Sequence, residues 1–243
     1  MRIFRATIKT VVICSRLFFL FLLFGLSLVP VQASTSFDFS YSLDYVFYRE
    51  FSEEGDSLNS ETGYLPGIRV LMNHNMSENI SFFLDGYYGL SHVKYDGQLQ
   101  NGSAYNTNSS MEKLSYGLGS LIHFQQHSLA LYVGQHTWNR HILSKGNVSD
   151  LSEFYLWDSV AIKHLYSIES WSTEYGIARL FNAGLKVDLT DQGYGVVPVT
   201  IPDGISLFAR IDKSLGIDLQ SWRVGTSLKG DYFPRGKTKF TGG

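Results

Sequence analysis

"SFDFSYSLDYVF", residues 36–47, puts Phe37, Phe39, Tyr41, Leu43, Tyr45 and Phe47 at alternate positions, with Asp38, Ser40, Ser42, Asp44 and Val46 between them. A period of two with one apolar and one polar face is the pattern of a β-strand. In a soluble sandwich the aromatics would form the core and Asp and Ser would meet water. In an outer-membrane barrel the aromatics would face lipid and the polar residues would line the interior. The spacing of the remaining strands favours the barrel.

Nine stretches alternate in this way: 36–47, 64–76, 80–95, 111–124, 128–142, 151–166, 170–181, 205–214 and 219–233. Long polar connections, among them "SEEGDSLNSETG" (52–63), "DGQLQNGSAYNTNSS" (96–110), 143–150 and 182–204, are expected after the odd strands. Tight turns, "SEN" (77–79), "QQH" (125–127) and "SIE" (167–169), follow the even ones. All short turns at one end and all long loops at the other is the habit of a transmembrane barrel, whereas sandwiches mix the two. Strands of 12 to 16 residues also exceed the five or six usual in soluble sheets. The expected fold is therefore all-β: an antiparallel up-and-down transmembrane β-barrel of about eight to ten strands.

The N-terminus fits export. Arg2, Arg5, Lys9 and Arg16 precede the apolar run "LFFLFLLFGLSLVP" (17–30), and "VQA" (31–33) offers small residues for cleavage before Ser34. Residues 1–33 are expected to be a signal peptide and 34–243 the barrel domain. The single cysteine, Cys14, lies in that leader, so disulfides and thiol chemistry are not expected in the rest. Without the leader the chain carries 16 basic and 22 acidic residues, a net charge of −6, which argues against nucleic acid as a partner. No later stretch is apolar for the ~18 residues a membrane helix needs. The expected location is the bacterial outer membrane, with outer-membrane lipids, lipopolysaccharide and the barrel-assembly machinery as partners.

Alternation assigns an interior face to Arg69, Asp85, Lys113, Arg140, Glu153, Lys163, Glu174, Arg210, Asp212 and Arg223. Both signs are mixed along the chain. That suits an ion-pair network filling a narrow lumen, whereas a charge-selective pore would show rings of one sign. Little or no conductance is expected. Asp158 and Arg179 fall on the apolar face, where Arg at mid-depth costs about 2–4 kcal/mol and Asp less. A bulge near Asp158, or a place close to an interface, is expected.

No catalytic residue, cofactor or metal is expected. His123, His127 and His136 lack metal-like spacing, and no phosphate loop or dinucleotide fingerprint occurs. The alternative is a barrel enzyme acting on lipid, with a rim site drawn from Ser91, His92, His141, Asp96 and Glu153. "YLPGIRV" (64–70), "YDGQLQNG" (95–102), "YVGQHTWNRHI" (132–142) and "LSEFYLW" (151–157) resemble landmarks of a family of uncharacterised bacterial outer-membrane β-barrel proteins. The resemblance implies an envelope barrel and carries over no activity. The role expected is structural, surface-interaction or narrow-pore.

Antiparallel closure calls for an even strand number, and "PRGKTKFTGG" (234–243) is too short and polar to add a tenth strand. The closing strand of a ten-stranded parent is thus expected to be missing. The other possibility lies in 182–204, where "LKVDL" and "GVVPVTI" could extend the flanking strands or pair as a hairpin.

Overall fold

The computed structural model describes residues 34–52, 55–98, 102–193, 195–217 and 220–234. The leader expected over 1–33 lies outside the described residues, as does the tail beyond Pro234. The strands are β1 (Thr35–Phe51), β2 (Ser57–Asn75), β3 (Ile80–Gln98), β4 (Ala104–Phe124), β5 (His127–Ile142), β6 (Leu151–Ile168), β7 (Trp171–Leu189), β8 (Gly195–Thr200), β9 (Gly204–Ile217) and β10 (Gln220–Tyr232). Neighbours in the order β1-β2-β3-β4-β5-β6-β7-β9-β10 pair antiparallel, an up-and-down sheet, and β8 pairs with β7 off this path. Among the described residues no ladder joins β10 to β1.

Segment β8 is no separate crossing. It pairs with the far end of β7, Gly184–Leu189, while β9 pairs with Trp171–Leu180. The two are halves of one strand interrupted at Ile201–Asp203. Pro202 accounts for the break, because it has no N–H to give to a ladder. "LKVDL" and "GVVPVTI" therefore extend the flanking strands and pair with each other, as the second reading of 182–204 allowed. Nine strands lie on the path, and β10 runs in the same direction as β1.

The polar connections are shorter than the sequence suggests. Residues 57–63 belong to β2 and 104–110 to β4, leaving 52–56 and 99–103 as the loops. Ser, Thr and Asn alternate as readily as apolar residues once a neighbour strand supplies the ladder, so β2 and β4 run on into polar sequence. The asymmetry of the two ends survives: turns at Gln125–Gln126 and Glu169–Ser170 face longer connections at the other end.

The sheet is curled. Strands β1 and β6 are five places apart, roughly 24 Å on a flat sheet. Yet the Tyr48 and Tyr155 hydroxyls lie 3.3 Å apart, and the Tyr48 and Trp138 rings meet edge to face at 4.9 Å. The concave face buries Val46, Leu65, Phe83, Met111, Tyr132, Trp138, Tyr155, Trp157 and Leu180. Glycine makes room where rings cross that face. A Cβ on Gly117 or Gly134 would overlap Tyr132, and one on Gly119 would overlap Phe83. The two rings stack at 6.0 Å in the space so left.

The expected bulge is present. Between Leu156 and Asp158 on β6 the partner β7 advances from Gly184 to Phe181, one residue more. The extra residue is on β7, where Asn182 adopts a φ of 53°.

Candidate functional site

The centre of the concave face is Arg140, brought there by the even register of β5 that also turns Ala130, Tyr132, Gly134, His136 and Trp138 inward. Its side chain has no solvent exposure. Arg140 Nε donates to Glu61 Oε2 at 3.0 Å, and Nη1 donates to Glu50 Oε1 at 3.2 Å, to the Tyr155 hydroxyl at 3.0 Å and to Glu153. The guanidinium also lies 4.2 Å from the Tyr48 ring centroid. Residues from β1, β2, β5 and β6 thus converge on one cation. Three carboxylates exceed one guanidinium in charge, and the Tyr48 and Tyr155 hydroxyls share the excess by donating to Glu50 and Glu153.

The other interior charges pair more simply. Arg69 and Asp85 form a bidentate pair between β2 and β3, with bonds of 2.7 and 2.8 Å. Lys163 meets Glu174 across β6–β7 at 3.0 Å and lies over the Tyr132 and Phe208 rings. Arg210 and Asp212 pair along β9 at 2.7 Å, and Lys113 sits 4.8 Å from the Trp138 ring. Arg223 lies in β10, with its side chain outside the described residues. Tyr95, Tyr105 and Ile142 pack together beyond the Arg140 centre, with Val148 and Leu151 against them.

Several interior members were not singled out in the sequence. Glu50 continues the even register of β1 past Phe47, a signal that was available. Glu61 sits in what reads as loop, and only the pairing of residues 57–63 with β1 and β3 turns it inward. Lys229 and Asp231 pair at 3.1 Å on β10.

The two misplaced charges of the convex face have partners. Asp158 accepts from Gln135 Nε2 at 3.0 Å and Asn182 Nδ2 at 2.9 Å, directly beside the bulge. Arg179 pairs with Asp203 at 2.6 Å, exposed to the outside.

The rim set drawn from sequence does not assemble. Ser91 donates to the Tyr64 carbonyl, and Glu153 points inward to Arg140. His92 pairs across the ladder with Ser110, which stands between it and His141. Alternation places neighbours in sequence on opposite faces, so Ser91 and His92 could never share one. His141 instead meets two other residues. Its Nδ1 is hydrogen-bonded to Ser152 Oγ at 2.7 Å, and its Nε2 lies 3.2 Å from Asp150 Oδ2. The backbone N–H of Ser144 donates to the other oxygen of Asp150, and that bond, ahead of the contact with His141, holds the Asp150 carboxyl below its ordinary range.

Among the described residues no group of three or more His, Cys, Asp or Glu is arranged to hold a metal ion. No family model matches the chain, and no curated protein matches it either.

Proposed function

We propose that the chain is an integral outer-membrane β-barrel, exported by its N-terminal leader, with a filled interior and a structural or surface-interaction role. One observation carries this reading: the molecule is inside out. Its outward residues on β1, from Phe37 to Phe47, are 59–75% exposed, while Arg140 and Glu61 are buried on the concave face. The apolar band continues through Ile68 and Val70, Phe82 and Leu90, Leu118 and Ile122, Leu131 and Val133, Val160 and Ile162, Ile177, and Leu207 and Ile211. Such a band amounts to roughly 1,000 Å² or more, about two to three times the largest apolar patch of a typical soluble monomer. Water would not support it; hydrocarbon does.

The height of the band fits as well. On β3 the outward face is apolar from Ile80 to Leu90 and polar from His92 onward. Ten residues at ~3.3 Å, tilted by ~40°, rise roughly 25 Å, the span of an outer-membrane apolar band. Rings gather at both edges: His127 with Tyr166 and His164 with Tyr175 near the tight turns, and Tyr45 with Tyr64 at the far side. On this geometry Asp158, about eleven residues from its turn, falls near the outer edge of the band. The motif resemblance and the leader support the same assignment, with membrane lipid and the barrel-assembly machinery as the partners.

Membranes washed at high salt should retain the protein and release it only into detergent. Planar bilayers containing it should show no steady conductance, because the Arg140 centre and the apolar group at Tyr95 and Tyr105 obstruct the interior. Release by salt alone would overturn the membrane assignment, and a steady conductance would overturn the filled interior.

A further inference from the structure

The outward row at the loop end of the sheet holds an arrangement that the barrel itself does not require. The β5–β6 ladder sets His141 directly opposite Ser152, and the loop that joins the two strands brings Asp150 to the other side of the same imidazole. With the Nε2 proton turned toward the carboxylate, the neutral imidazole presents its Nδ1 lone pair to the serine hydroxyl. Asp150 is itself fixed by the Ser144 N–H. The His141 and Asp150 side chains are 41% and 37% exposed, so the group is open to approach from the convex side.

We propose that Ser152, His141 and Asp150 form a hydrolytic site for carboxylic esters of outer-leaflet lipid, with Ser152 as nucleophile, His141 as general base and Asp150 orienting the imidazole. The substrate class rests on the membrane reading above. A nucleophile, a base within hydrogen-bond reach of it and a third group holding the base are the elements such chemistry needs. The imidazole meets serine through Nδ1 and aspartate through Nε2, the reverse of the serine proteases, and either ring nitrogen can take up the proton. Outward on β6, Phe154 and Leu156 lie two and four residues below Ser152, toward Val160 and Ile162 of the band. Asp158, which Gln135 and Asn182 engage at the outer edge of the band, lies six residues below Ser152, so the site stands roughly 15 Å beyond that edge and takes an acyl chain drawn up out of the band along Leu156 and Phe154. Lys186 stands across the ladder from Phe154, a cation beside that path for an anionic headgroup.

The reaction balances with water as the only co-reactant. Ser152 Oγ bonds to the ester carbonyl carbon as His141 Nδ1 takes the hydroxyl proton. The carbon–oxygen bond to the alcohol breaks, and the alcohol leaves with that proton. Water then attacks the acyl-serine, again losing a proton to His141, which returns it to Ser152 as the fatty acid departs.

The test uses the full chain folded in detergent micelles, 4-nitrophenyl esters from butyrate to palmitate, and an alkyl fluorophosphonate. The protein should release nitrophenolate, fastest from the longer chains, and carry the phosphonate on the peptide containing Ser152. S152A should abolish the label. S152A and H141Q should each lower turnover about 100-fold or more, and D150N about tenfold or more. All three must keep the heat-modifiable mobility of a folded barrel; a variant that loses it is replaced by S152G or H141N. Folded wild-type protein that neither hydrolyses nor labels, or an S152A variant at the wild-type rate, would overturn the site and leave the barrel standing. Turnover by protein that high salt releases from membranes would instead keep the site and remove the barrel.

Discussion

Replacing Arg140 with Met tests the interior most directly. Met keeps the length and apolar contact of the stem but removes the charge that three carboxylates share. Glu61 has no exposure and Glu153 only 11%, so both would be left charged in a dry interior. Glu50 is a third exposed and screened by water, and it contributes little to the loss. Breaking a buried pair by removing one partner costs about 3–5 kcal/mol, and here two buried carboxylates lose the same partner. The cation–π contact with Tyr48 adds about 0.5–2 kcal/mol. Urea unfolding of R140M in micelles, followed by tryptophan fluorescence and heat-modifiable mobility, should therefore show a loss of about 4–6 kcal/mol at pH 7.5. Two further measurements separate charge from packing. Protonation of Glu153, whose carboxyl burial pushes up against the opposing pull of Arg140, should shrink the loss at pH 4.5, and adding Glu61→Gln should recover about 1–2 kcal/mol. R140M within 1 kcal/mol of wild type, or a loss equal at both pH values, would refute the reasoning.

Other perturbations have expected outcomes of their own. Arg69→Met, which deprives only Asp85 of a partner and does so where both side chains are partly exposed, should cost less than R140M, about 1–3 kcal/mol in the same unfolding assay. Gly119→Val forces a side chain into the Phe83 ring and should cost about 1–3 kcal/mol, with altered near-ultraviolet circular dichroism from the displaced Phe83–Tyr132 stack. Leu84→Arg puts a cation in the middle of the apolar band; a loss of about 2–4 kcal/mol in lipid vesicles is expected, and tolerance of the change would count against burial in hydrocarbon. Because the Ser144 N–H lowers the Asp150 pKa, its stabilising contribution is present above the ordinary value of 3.8 and is lost as pH falls through the lowered folded value. The Ser144 amide resonance should accordingly titrate with a midpoint below 3.8, and a midpoint above that would contradict the bond.

Much of the barrel was legible along the chain because a strand exposes its register at every second residue. The alternation from Phe37 to Phe47 sets an inward and an outward face on β1, and the same rule turns Arg69, Asp85, Arg140 and Glu153 to one side. Strand ends were less legible. Ser57–Gly63 and Ala104–Ser110 read as loop because their composition is polar, and only the ladder with a neighbouring strand holds them extended. Asp158 announced a bulge near itself, but the extra residue is Asn182 or its neighbour on β7, since a bulge belongs to a pair of strands and either can carry it.

Local sequence, through period-two patterning and the placing of short turns, determined that this protein is an antiparallel up-and-down β-barrel type with charges on one face of its strands. Which charges meet was decided by the curl of the sheet. Arg140 reaches Glu61 and Glu50 across 79 and 90 residues of chain because β5 and β6 close over β1 and β2, and nothing local to any one of them encodes the distance. The rim was decided the same way. Ser152 and Asp150 lie on His141, and Ser91 and Glu153 do not, because cross-strand register and the fold of one loop, which the alternation of a single strand cannot express, choose which outward side chains become neighbours.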